Sequence, residues 1–238
     1  MSDALRMERR DGLFEIVLAA GDTGNLVSNA AGDSIAAALG SLDEEVKLVR
    51  LRAEGRDFCR GRVSPTPPAG AAVRPSNLRR AVAEPPLRVY EALRLCPVPV
   101  LAVVDGAAHG YGAALVAASD LAIASDAARF CVPEMERGIP PLLVMTAFLG
   151  RVTAKATAHL ALAREEISAA EALACGLVGQ VVPAAELEAA ANKLTDTILA
   201  YPVEAVRAIK EHLRSTRPTP PGAAVLAANL ATTVLASR

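Results

Sequence analysis

The stretch VDGAAHGYGAALVAASDLAIAS, Val104 to Ser125, contains the turn on which the reading of this chain depends. It begins as the end of a buried strand, breaks at two glycines flanking a tyrosine, and continues through small apolar residues into a further strand, DLAIAS. Glycines so placed let a chain turn sharply and let its backbone come close to another group. A helix starting near Tyr111 presents peptide N–H groups that have no partner inside the helix and sit at the positive end of its dipole. A second glycine turn, FCRGR at Phe58–Arg62, follows VKLVRLRA, Val46–Ala53, whose alternation of apolar and charged residues predicts a half-buried strand. Two such turns side by side would form an oxyanion hole, which stabilises negative charge growing on a carbonyl oxygen. Glycine turns between strand and helix are most often plain chain reversals, so the pair by itself leaves both readings open.

Outward from that turn, composition narrows the classes. The chain has 238 residues, a net charge of -1 and a pI near 6.3, so it carries no basic footprint for nucleic acid. Arg50, Arg52, Arg56, Arg60 and Arg62 cluster locally, either as a solvated edge or as partners for an anionic small molecule. The longest apolar stretch, IPPLLVMTAFLG, is too short to span a membrane, and the start, MSDALRMERRDG, has no apolar signal core. Cys59, Cys96, Cys131 and Cys175 lie far apart without metal-ligand spacing, which fits small buried residues of a reducing, cytoplasmic compartment. No metal is expected.

The pattern along the chain is strands and helices first, helices last, which predicts an α/β fold with a helical C-terminal appendage. Strands are expected at Leu13–Ala20, Val46–Ala53, VPVLAVVDG, DLAIAS, ARFCVPE and LVGQVVP. Helices are expected at Ser34–Glu45, Leu87–Cys96, Pro141–Leu149, Ala154–Ala163, Ser168–Ala174, Ala184–Ala200 and Val203–Arg214, with a last one after Pro221. SAAEALACG has a serine cap, a glutamate three residues on and a closing glycine, a strong local helix signal. Val63–Pro86, rich in proline, alanine and polar residues, predicts a long mobile loop.

Taken in order, EGRDFCRGR, PVPVLAVVDGAAHGYGAALVAASDLAIAS, ARFCVPEMERGIPP and ISAAEALACGLVGQVVP resemble the enoyl-CoA hydratase/isomerase (crotonase) superfamily. GNLVSNA near the start is similar to the family's entry segment, and the resemblance runs from about Leu13 to Val203. It implies a crotonase-like spiral of ββα units over residues 1–182, which would hold the site. It also implies a C-terminal helical trimerisation region over 183–238, giving a homotrimer or homohexamer. Coenzyme A enters only as part of an acyl-CoA thioester substrate, with no separate cofactor.

Carried over position by position, the resemblance implies oxyanion donors at the backbone N–H groups of Arg62 and Tyr111. Asn25, Cys59, Arg60, Gly61, Val63, Gly110, Gly112 and Ala114 would surround the thioester, and Arg60 and Arg62 could meet its phosphates. The family's aspartate after the oxyanion residue is Val63 here. Hydratases of the family share their water chemistry between two glutamates; the first position is Ala114 here and the second is Glu134. One carboxylate suffices to move a proton from one carbon to another two atoms away, so the inventory fits double-bond isomerisation best. His109, just before the Gly-Tyr-Gly turn, is the candidate second acid/base group of a hydratase. A non-catalytic acyl-CoA-binding protein is the alternative of a different class.

Overall fold

The computed structural model describes residues 4–63, 73–216 and 220–237. Two strands open the chain, β1 (Leu5–Arg10) and β2 (Leu13–Leu18), paired antiparallel. Helix α1 (Asn29–Gly40) follows, capped by Ser28, whose side chain accepts the Ala31 N–H. The sequence placed this helix five residues later, on its apolar spacing alone; the serine cap sets the true start. Strand β3 (Leu48–Ala53) then pairs parallel to β2 in a register that puts Arg50 opposite Glu15.

That register corrects the half-buried reading of β3. Leu48 to Leu51 are all buried, and Arg50 is buried with them because Glu15 meets it from the next strand: Nε donates to Glu15 Oε1 at 2.6 Å. Burial works against the charge on Glu15, but hydrogen bonds from Arg52 and Arg50 outweigh it and hold the carboxyl below its ordinary value. Asn192 Oδ1 also accepts from Arg50, at 2.6 Å. The alternating charges mark a sealed ion-pair network, not a wet face.

The expected loop over Val63–Pro86 is helical in its described second half. Pro75–Leu78 forms α2, a five-residue π turn spans Arg79–Ala83, and α3 runs from Glu84 to Leu95 without a break in the chain path. Pro75 opens α2, where a missing N–H costs nothing, and Pro85 and Pro86 fall in the first turn of α3 directly after the π turn. Residues 64–72 of that segment lie outside the described ones.

Next come β4 (Val100–Val104), β5 (Ala107–His109), α4 (Tyr111–Ala118), β6 (Leu121–Ser125) and β7 (Arg129–Cys131). The remaining elements are α5 (Leu142–Phe148), α6 (Ala154–Ala163), β8 (Ile167–Ser168), α7 (Ala169–Ala174), β9 (Gln180–Val182), α8 (Leu187–Leu199), α9 (Val203–Thr216) and α10 (Ala223–Ala236). Strands alternate between two sheets: a six-stranded one in the order β1-β2-β3-β4-β6-β9, and a three-stranded one in the order β5-β7-β8. Each strand of the large sheet from β4 to β6 therefore hands the chain to the small sheet, and β4-β5-α4 is one ββα unit. Isolated bridges Cys59–Ala108 and Val27–Arg62 continue the small sheet past β5. This mixed α/β arrangement has the ββα hand-over that the resemblance implies.

The main core fills the space between the sheets and helices α1, α3 and α4. A second cluster, with Leu48, Leu101 and Ile123 of the sheet against Leu187, Ala191 and Ile198 of α8, seals the opposite face. Helix α9 is pinned by Lys210, 2% exposed, whose Nζ donates to Asp120 Oδ2 at 2.5 Å and to Leu93 O at 3.0 Å. Arg151 donates to the other Asp120 oxygen at 3.0 Å.

Candidate active site

Three segments meet around a cavity of about 420 Å³: the Arg60–Arg62 turn, the Gly110–Tyr111 turn and a 3-10 turn over Pro133–Arg137. Helix α10 covers it with Ala231 and Leu235, and Val82, Pro86 and Tyr90 wall it from the helical segment before α4.

The two glycine turns are held together by backbone. Cys59 donates its N–H to Ala107 O at 2.9 Å and accepts from His109 N at 2.8 Å, which lays the first turn along β5. Gly112 then lets the start of α4 press onto that strand, since a Cβ there would collide with the Cys59 carbonyl. Tyr111 is the first residue of α4, so its N–H has no partner within the helix. Arg62 is fixed between Val27 N→Gly61 O, 3.2 Å, and Val63 N→Val27 O, 2.9 Å.

Glu134 approaches this pair from the third segment. A Cβ built on Gly110 would stand 2.5 Å from Glu134 Oε1, so the carboxyl lies directly over the turn that precedes Tyr111. Its Oε2 is buried and has no hydrogen-bond partner among the described residues. Burial raises the Glu134 pKa above its ordinary value, against the opposing pull of its own backbone N–H and of Arg137 and Arg62. Such a group holds and releases a proton more readily near neutrality than a solvated glutamate does. Glu136 also borders the cavity, but its side chain is exposed.

Of the residues singled out from sequence, Arg60, Gly61, Arg62, Gly110, Tyr111 and Glu134 border this cavity. The others do not, each for a visible reason. Asn25 is 1% exposed and its amide is spent on backbone: Oδ1 accepts from Ala20 N at 2.8 Å, and Nδ2 donates to Glu54 O and Asp57 O at 2.8 and 2.7 Å. It shapes the loop ahead of the first turn. Cys59 is fully buried and its thiol is pushed up to about 12 by burial. Gly112 and Ala114 are buried inside α4, while Val63 is exposed and contributes the backbone bond to Val27.

His109 lies elsewhere. It ends β5 outside the cavity lining, and its Nε2 lies 3.0 Å from Glu166 Oε2. The arginine cluster disperses: Arg50 and Arg52 join Glu15, Arg60 is half exposed near Asp57, and Arg62 lines the cavity. The Arg62 guanidinium donates to Asn29 Oδ1 and Val82 O, both at 2.8 Å, tying α1 to the π turn across the cavity wall.

Sequence reasoning missed the wall itself. Val82, Pro86 and Tyr90 recur every four residues, as do Ala231 and Leu235, so helical spacing was the available signal. Val82 and Pro86 fall in the segment expected to be a loop, which hid them, while Tyr90 lies in the expected helix Leu87–Cys96.

The enoyl-CoA hydratase/isomerase family profile matches residues 8–234. A probable enoyl-CoA hydratase of Rhodobacter capsulatus is 34% identical over 185 residues, covering 77% of this chain and 70% of that one. The 1,2-epoxyphenylacetyl-CoA isomerase of Escherichia coli is 31% identical over 180 residues, covering 73% of this chain and 66% of its own length. The crystal structure of an enoyl-CoA hydratase from Mycobacterium avium subsp. paratuberculosis superposes with a TM-score of 0.87 at 28% identity, covering 100% of this chain and 95% of that one. With a match that runs through both glycine turns and the Glu134 segment, the chain belongs to the enoyl-CoA hydratase/isomerase (crotonase) superfamily.

Proposed function

We propose that this protein is an acyl-CoA-processing enzyme that shifts a double bond, with Glu134 as its sole acid/base group. The thioester oxygen would sit between the N–H groups of Arg62 and Tyr111. Glu134 takes a proton from the acyl chain, and the electron pair released spreads onto the thioester oxygen as an enolate. Two peptide dipoles, one of them at the start of α4, offset that charge. The protonated Glu134 then returns its proton two carbons away, the enolate collapses, and the double bond has moved with no water consumed.

The observation that carries this reading is Glu134 itself: a buried carboxyl, one oxygen unpartnered, packed against the turn that opens α4. No second carboxylate faces it from α4, because Ala114 is enclosed within the core. Hydration would need another group to place water, and His109 is turned toward Glu166. Conversion of Glu134 to glutamine keeps shape and hydrogen bonding but removes the proton carrier. Glu134→Gln should abolish isomerisation of an enoyl-CoA while leaving thioester binding measurable. Undiminished turnover would overturn the assignment. If the wild type binds thioesters tightly but converts none of a broad panel, the protein is instead a binding module.

A further inference from the structure

The mechanism above asks Arg62 only for its backbone N–H, and the orientation of that N–H follows from its peptide plane. In a planar trans peptide the Arg62 N–H points opposite to the Gly61 carbonyl, which accepts from Val27 N at 3.2 Å. The N–H therefore faces away from Val27, toward the edge on which Cys59 pairs with Ala108 of β5. The hold on this plane is slight, because a bond of 3.2 Å is at the long end of the N–H···O range. Nor is Gly61 braced: its φ is 137°, and a Cβ there would meet only Leu26 Cδ2, at 3.8 Å.

The Arg62 side chain supplies a second hold. Asn29, the first residue of α1, accepts from Arg62 Nη1 at its Oδ1, 2.8 Å away, and donates from Nδ2 to Ala81 O at 2.9 Å. Arg62 Nη2 donates to the next carbonyl, Val82 O, at 2.8 Å. Arg62, Asn29 and two consecutive carbonyls of the π turn thus close a ring of hydrogen bonds. Each end of the Asn29 amide meets what its chemistry requires, a donor at the oxygen and an acceptor at the nitrogen. Turns of this kind are rare and recur at functional sites, and this one brings both carbonyls to the ring. Val82 also borders the cavity, whereas Asn29 lies outside its lining.

We propose that Asn29 is a positioning residue: by anchoring the Arg62 guanidinium it keeps the Arg62 N–H aligned with the thioester oxygen. This rests on the oxyanion role given to that N–H under the CoA-thioester reading, and it adds a residue that the reading does not use. A donor fixed beforehand toward developing charge stabilises it without reorganising during the reaction. Releasing the guanidinium lets the weakly held Gly61–Arg62 peptide turn, which blunts the donor without removing it.

The probe is acetoacetyl-CoA, which loses a proton from the carbon between its carbonyls to give an enolate that absorbs in the near ultraviolet. The ratio of bound enolate to keto form reads the stabilisation of the thioester oxygen without any turnover. Asn29→Ala should lower that ratio about tenfold, less than loss of a whole oxyanion donor, while affinity for butyryl-CoA stays within about threefold. Arg62→Met keeps the backbone N–H but removes the anchor, and should lower the ratio at least as much. Adding Asn29→Ala to Arg62→Met should then change the ratio by less than about twofold, because Asn29 acts through the guanidinium. An unchanged ratio in Asn29→Ala, equal losses of enolate and butyryl-CoA binding, or a full Asn29 effect in the Arg62→Met background would overturn the proposal. Should Asn29→Ala fail to fold, Arg62→Met alone decides: a ratio equal to wild type would show that the side chain anchors nothing. The isomerase reading fails separately, if Glu134→Gln converts enoyl-CoA undiminished while the Asn29 effect stands. A wild type that binds no thioester, or binds acetoacetyl-CoA without favouring its enolate, would remove the oxyanion role and the proposal together.

Discussion

Replacing Gly110 with alanine strikes the proposed site at its tightest contact. The added Cβ would lie 2.5 Å from Glu134 Oε1 and 3.3 Å from its Cδ. Relaxed carbon–oxygen contacts are near 3.5 Å, so the carboxyl must retreat by roughly 1 Å. Displacement on that scale costs about 100-fold in rate where reacting groups must be aligned, or about 2.7 kcal/mol of barrier. The backbone contributes separately. Gly110 has φ 51° and ψ -108°, a conformation that side chains disfavour, and the strain should cost about 1–3 kcal/mol of stability. Gly138→Ala is the control: its φ is +63° but a Cβ there meets nothing within 4 Å, so it adds strain without the collision. Turnover of an enoyl-CoA substrate, thioester affinity and thermal unfolding should be measured on both. Gly110→Ala should lose about two orders of magnitude in kcat with affinity changed a few-fold, while Gly138→Ala loses stability only. A folded Gly110→Ala enzyme working within about threefold of wild type would show that the Gly110–Glu134 contact has no part in catalysis.

Two further outcomes follow from buried charge. Glu134 keeps its proton above its ordinary value of 4.5, so between that value and its folded pKa the native state binds more protons than the unfolded one, and stability falls as pH rises through that window. Denaturant titrations across the window should show this slope in wild type and not in Glu134→Gln, while the rate, which needs the ionised base, climbs over the same interval; matching slopes in the two proteins would remove the claim of a raised pKa. Lys210→Met leaves Asp120 buried with only Arg151 and the Val100 N–H, and should cost about 3 kcal/mol, toward the lower end for a broken buried pair. Calorimetry should then find Tm lower by about 6–12 °C, and a loss under about 1 kcal/mol would mean that Lys210 does not hold α9 to the core.

What the sequence revealed and what it hid divide along physical lines. The start of α4 at Tyr111 and the capping box at Ser168 and Glu171 were legible because caps and turns act over a few residues. The strand β3 was found, but its burial was misjudged, because Arg50 is neutralised by Glu15, 35 positions away and opposite it only once the parallel register forms. The hydrogen bonds of Asn25 were hidden for a similar reason: two of its partners lie 29 and 32 residues on. Prolines made the stretch from Pro75 to Pro86 look irregular, although each sits where a helix tolerates it. His109 looked available because nothing local announces Glu166, brought near when β8 pairs with β7.

Helix α10 makes the cavity depend on a part of the chain that brings none of its proposed reacting groups. Arg62, Tyr111 and Glu134 come from segments far earlier in the sequence, while Ala231 and Leu235 of α10 border the same space. In the proposed reaction, loosening of this helix would admit water, and the enolate would be quenched by solvent before Glu134 could return its proton. Substitutions on α10 could therefore weaken the proposed chemistry without touching a reacting atom.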